Sequence, residues 1–315
     1  FLGREEMGRP TEFLLKEALV SVDYSGLVPV ADVQHAKELG RLGSLLAKEQ
    51  NGEVLALHVI KVPPSLSLSD GRLFLKEGRE PLEKVIEQAR GHEVPVHTMI
   101  RLGRNVAQAL MKTVSENASD MILFGWPGTS GTNTSLFGSV IDSIVANPPA
   151  DVAIVRSRPY ERIRKIVVPV AGGPNSSLAV YTAVSLARNL PEPADVVMVH
   201  VAVNGLTQMD VEARANNTFR RASSGVQYER LTQEVVNAET PVAGILEAGK
   251  SADMIVIGAT RETLFRNLLL GNVSQQVAEQ AHCPVVLVKR RSTILESVLR
   301  ETVLPPVLTS NKLKK

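Results

Sequence analysis

The segment Ser119–Gly125 reads Ser-Asp-Met-Ile-Leu-Phe-Gly, and 133 residues later Ala252–Gly258 reads Ala-Asp-Met-Ile-Val-Ile-Gly. Other matches keep the same order. Val152–Val155 (Val-Ala-Ile-Val) repeats as Val285–Val288 (Val-Val-Leu-Val), and Gly138 repeats as Gly271, both at an offset of 133. Upstream, Leu27–Ala31 (Leu-Val-Pro-Val-Ala) repeats as Val167–Ala171 at 140, and Leu57-His58-Val59 as Val199-His200-Val201 at 142. Conserved order with a slowly drifting offset is the mark of a duplicated unit with small loop insertions.

Each copy alternates short apolar runs with amphipathic stretches. In the first, strands are expected at 26–30, 54–60, 94–100, 121–124 and 152–155. Helices are expected at 33–50, 80–90, 106–116 and 139–146, with 62–78 read as a Pro- and Ser-rich loop. In the second copy the helices 177–189, 210–224 and 242–250 and the strands 196–203, 227–236 and 254–257 follow the same plan. Continuous apolar strands between helices imply a parallel sheet covered on both faces, and right-handed crossovers make it doubly wound. The fold class expected is therefore α/β, two tandem Rossmann-like domains. The boundaries read are a linker at 1–25, domains at 26–158 and 159–291, and a tail at 292–315. The charged stretch Arg156–Arg164 with Pro159 joins the halves.

Bulk properties narrow the function. A net charge of +2 gives no case for a nucleic-acid partner, and 4% aromatic residues leave little for base stacking. The single cysteine, Cys283, excludes a disulfide framework or multi-cysteine zinc site and suits a reducing cytoplasm. No run approaches the ~20 apolar residues of a membrane helix. The chain begins at Phe1 with a polar, Gly-containing stretch, which reads as a piece of a longer protein. No catalytic motif is visible. His58 and His200 read as packed strand-end residues, and His35, His92, His97 and His282 show no partner pattern. Asp120 and Asp253 read as caps of the preceding turn, Trp126 as folded inward, and Cys283 as a structural thiol.

Ligands of open α/β sheets bind where strands end, near the point at which strand order reverses. Gly125, Gly128, Gly138 and Ser139 fall at that edge, with Ser130 and Thr132 in the polar loop between them. Bare glycines let main-chain N–H groups approach an anion, and a helix N-terminus adds unpaired donors. The bland reading is a tight turn, with Ser139 as a helix cap.

The spacing Gly-x2-Gly-x9-Gly-Ser resembles the ATP-binding signature of the universal stress protein family. The Val-Pro-Val, Leu-His-Val, Ala-Asp-apolar-Gly and Pro-Val-apolar-Val strands resemble the family's other hallmarks. The resemblance covers about 26–156 and 165–289 and implies five-stranded sheets pairing through their last strands, here as an intramolecular pseudo-dimer, with homodimerisation also open. It implies ATP or a related adenine nucleotide, with or without Mg²⁺, as ligand. Ala31 stands where ATP-binding members carry an Asp, and Asp32 follows one residue late. The second copy has Gly172, Arg261 and Asn272 at the matching places and reads as degenerate. Tandem domains of this kind also occur attached to membrane transporters, such as amino-acid permeases and cation antiporters. The classes left open are a nucleotide-binding regulatory module on a transporter, a stand-alone cytoplasmic stress protein, a slow ATPase, and a non-binding structural module.

Overall fold

The computed structural model describes residues 23–126, 138–203, 208–259 and 272–291. The apolar runs form strands and the amphipathic stretches form helices, in the order that the repeat dictates. The first copy is β1 (Ser25–Pro29), α1 (Val33–Glu49), β2 (Glu53–Lys61), α2 (Arg79–Gly91), β3 (Val96–Gly103), α3 (Val106–Asn117), β4 (Met121–Gly125), α4 (Ser139–Ala146) and β5 (Asp151–Arg156). The second is β6 (Lys165–Pro169), α5 (Pro174–Asn189), β7 (Asp195–Val203), α6 (Gln208–Ala222), β8 (Leu231–Ala238), α7 (Pro241–Gly249), β9 (Met254–Gly258), α8 (Asn272–Gln280) and β10 (Val285–Lys289).

Among the described residues the strands form one ten-stranded sheet, ordered β3-β2-β1-β4-β5-β10-β9-β6-β7-β8. Pairing is parallel within each copy and antiparallel only between β5 and β10, where Ile154 lies opposite Leu287. Those two residues are 133 apart, the repeat offset itself, so the axis relating the copies passes between them. Alternation along the strands feeds two layers. Val28, Leu123 and Val155 face one layer with Val168 and Val286, while Leu27, Ile122 and Ile154 face the other with Val167 and Leu287. Each apolar layer thus runs unbroken from one copy into the other. Cys283 is buried in the second, and burial pushes its thiol up to about 11. No described helix is long and apolar enough to cross a membrane.

Several local expectations change. The stretch 69–78, expected as loop, winds as a 3-10 helix (Ser69–Gly78), because Asp70 accepts hydrogen bonds from the Ser67 amide and hydroxyl. The Arg104 guanidinium pins the approach to it through the carbonyls of Pro63 and Leu66. Strand β3 starts at Val96, later than expected, because Val94 still closes α2 by donating its amide to Ala89 O. Strand β8 starts at Leu231, after a turn in which the Leu231 amide reaches Tyr228 O.

Asp120 and Asp253 are not caps of a preceding turn. Asp120 Oδ2 accepts from the Ser25 amide at 2.9 Å, and Asp253 Oδ2 accepts from Arg164 and Lys165 amides at 2.7 and 2.9 Å. Each carboxylate ties the start of its copy's first strand to the fourth. A hydrogen bond to a charged group contributes more than a neutral one. Asp253→Ala is therefore expected to lower unfolding free energy by about 2 kcal/mol and Asp120→Ala by about 1 kcal/mol. Urea denaturation measures both, and equal losses would mean that the second amide adds nothing.

Candidate functional site

At the carboxyl edge of the first copy, β1 and β4 are neighbours from which the chain departs in opposite directions along the sheet. Ala31 and Asp32 are exposed just beyond β1. Asp32 adopts an extended conformation and caps α1, its Oδ1 accepting from the His35 amide at 3.0 Å. His35 Nδ1 lies 3.0 Å from both carboxylate oxygens. Burial opposes ionisation of Asp32, but the hydrogen bonds from the His35 amide and ring and the Gln34 amide outweigh it and hold the carboxyl below its ordinary value. His35, read as partnerless in sequence, is thus paired at the capping spacing Asp-x-x-His. His97, read the same way, faces Glu53 at 3.2 Å.

Gly125 ends β4. A Cβ there would stand 2.9 Å from His35 Cδ2 and 3.1 Å from Cγ. The first signature glycine therefore makes room for an imidazole of the same chain, and the nest is not bare at this point. Gly138 is different. It has φ +88° and ψ 147°, a conformation open to glycine, and it caps α4 without any side-chain hydrogen bond. Among the described residues no atom comes within 4 Å of where its Cβ would be. Gly138 holds the cap position, so Ser139 is not the cap but the exposed first residue of the helix. The first amides of an α-helix have no partner within the helix, so the start of α4 offers donors at this end of the sheet. Gly128, Ser130 and Thr132 lie outside the described residues.

Other groups border this edge. Trp126 is buried, with the Arg156 guanidinium 5.6 Å from its ring centre. Ser157 donates its hydroxyl to Glu38, whose carboxyl burial pushes above the ordinary range. His58 Nδ1 lies 2.8 Å from Val30 O, fixing the end of β1 to β2, and His200 repeats the contact with Val170 O at 3.3 Å. These histidines are packed strand-end residues, and no group of three His, Cys, Asp or Glu side chains suited to a metal occurs among the described residues.

The second copy closes the matching edge. Asn175, at the place of His35, donates Nδ2 to Ala259 O at 2.8 Å and accepts from the Arg290 amide at 2.9 Å. Its backbone carbonyl would lie 2.5 Å from a Cβ on Gly258. Ser274 donates its hydroxyl to Gly258 O, and Ser176 accepts from the Ala171 amide. The strand ends are stitched to α5, α8 and β10. Arg261 lies outside the described residues, and Asn272 opens α8. A cleft of about 480 Å³ does occur in this copy, between Gly172, Gly173 and Ser177 and the exposed Arg220 and Arg221. Its walls bond to themselves, Ser177 to Arg221 O and Arg220 to Asn217.

The model of the universal stress protein family matches residues 26–156 and, again, 162–289. The Na(+)/H(+) antiporter NhaS5 of Synechocystis sp. is 24% identical over 270 residues, which span 84% of this chain and 38% of the antiporter. Among solved structures, a universal stress protein from Archaeoglobus fulgidus shares the fold with a TM-score of 0.62 at 17% identity, over 86% of this chain and 98% of that one. The cytoplasmic domain of a prokaryotic cation chloride cotransporter does so with a TM-score of 0.58 at 14% identity, over 85% and 96%. With both halves of one sheet matched, the chain belongs to the universal stress protein family and carries its domain twice.

Proposed function

We propose that this chain is a regulatory module that binds ATP or a related adenine nucleotide in its first copy and is not an enzyme. The observation that carries the reading is Gly138: a glycine-only conformation with, among the described residues, no side-chain cap and open space at the start of α4. Such a terminus accepts a phosphate through its unpaired amides. The proposed site comprises Ala31, Asp32, Gly125, Gly128, Ser130, Thr132, Gly138 and Ser139. Its units are taken as 26–158 and 159–291, between a linker at 1–25 and a tail at 292–315. The likeness to an antiporter of which this chain spans 38%, and to a cotransporter's cytoplasmic domain, supports attachment to a membrane transporter and a cytoplasmic position.

A second reading, a structural module with neither site open, is favoured by the His35 ring over Gly125. Isothermal titration with ATP, AMP and cyclic dinucleotides separates the two. One nucleotide per chain is the expected result. Silence with all three, with and without Mg²⁺, leaves the structural module standing.

A further inference from the structure

The helices that follow β1 and β6 rest on the ends of β4 and β9 through different atoms. The three atoms nearest to a Cβ on Gly258 are the Asn175 carbonyl oxygen at 2.5 Å, its carbon at 2.6 Å and its Cβ at 2.9 Å, so the main chain of α5 lies directly on β9. The three nearest to a Cβ on Gly125 are all in the His35 side chain, Cδ2 at 2.9 Å, Cγ at 3.1 Å and Cβ at 3.2 Å. In the first copy the layer between helix and strand end is an imidazole. The anchorage differs as well. Asn175 is bonded to two strand ends, Ala259 O and the Arg290 amide. The His35 ring is held by Asp32, an exposed residue three positions back, and 28% of the His35 side chain meets solvent.

A ring that leaves Asp32 has a second acceptor at hand. Glu38 lies three positions on, a neighbour of His35 on the surface of α1. Its Oε2 takes the Ser157 hydroxyl, while its Oε1 is buried without a hydrogen-bond partner among the described residues. We propose that His35 is the gate of the first crevice: the ring swings from Asp32 to Glu38, and the flat base of a purine nucleotide takes its place over Gly125. The exchange suits the space, because the five-membered ring of a purine has the size of the imidazole that it displaces, and no backbone moves. The second copy has no such gate, since no side-chain rotation withdraws the Asn175 carbonyl. The ligand is taken from the nucleotide-binding reading; the mechanism needs only the contact between His35 and Gly125.

Isothermal titration of ATP into the full chain and into His35→Ala tests the gate. A closed gate lowers apparent affinity by the fraction of open molecules. Removing the ring should tighten binding about fivefold, the most that an exposed pair such as Asp32 and His35 is worth. Asn175→Ala should still bind one nucleotide per chain, because what covers Gly258 is main chain, and a second nucleotide would overturn the asymmetry. Unchanged or weaker affinity in His35→Ala overturns the gate and leaves the nucleotide reading standing. Free imidazole supplies an arm that needs no nucleotide. It should raise the melting temperature of His35→Ala but not of the unsubstituted chain, and ATP should compete with it. An imidazole response without ATP binding to either protein supports the gate and sinks ATP as its ligand; no imidazole response overturns the gate.

Discussion

Gly258→Ala is expected to lower the stability of the chain by about 2–3 kcal/mol, while Gly125→Ala costs about 1 kcal/mol or less. Both glycines end the fourth strand of their copy, and both lie under the first turn of that same copy's first helix. What they meet differs in kind. A methyl on Gly258 would stand 2.5 Å from the Asn175 carbonyl oxygen and 2.6 Å from its carbon, which are backbone atoms. They cannot withdraw without moving the start of α5 and breaking the Asn175 bonds to Ala259 and Arg290. A methyl on Gly125 meets the His35 ring at 2.9 Å. That ring is partly exposed and can turn away by giving up its contact with Asp32, an exposed pair of small worth. In a protein of this size each kcal/mol shifts the melting temperature by about 2–4 °C. Calorimetry should therefore separate the two variants clearly, and equal shifts would disprove the distinction between side-chain and backbone contact.

The second large effect concerns binding. Gly138→Asp should weaken nucleotide affinity at least 100-fold, roughly 3 kcal/mol. Two causes act together. An L-residue at φ +88° is strained, and a carboxylate at the cap position takes the amides that the phosphate needs and repels its charge. Gly138→Ala separates them, since it carries the strain without the charge and should lose less. Circular dichroism on both variants checks that α4 persists. Undiminished binding in Gly138→Asp would mean that the nucleotide sits elsewhere.

Most of the architecture was legible because parallel strands buried on both faces must be continuous apolar runs, and duplication printed those runs twice. Misplaced boundaries had local causes, such as the carbonyl of Ala89 holding Val94 to the end of α2. The role of Asp253 was illegible because its partners are main-chain amides 88 and 89 residues away, groups that every sequence offers. The same holds for Asn175. Of the two signature glycines of the first copy among the described residues, Gly138 has the positive φ and open surroundings that the spacing suggests, whereas Gly125 makes room for His35. The cause at Gly125 is an imidazole 90 positions upstream, and its one visible sign was Asp32 three residues before His35.

Because β5 and β10 run in opposite directions, the strand ends of the two halves point out of opposite sides of the slab. Anything seated at the first half's crevice lies beside the starts, not the ends, of the second half's strands. No single small molecule can span both crevices. Influence between them must cross the body of the protein, whose halves touch where Asp151 at the foot of one accepts a hydrogen bond from the Arg291 amide at the head of the other, 2.8 Å away.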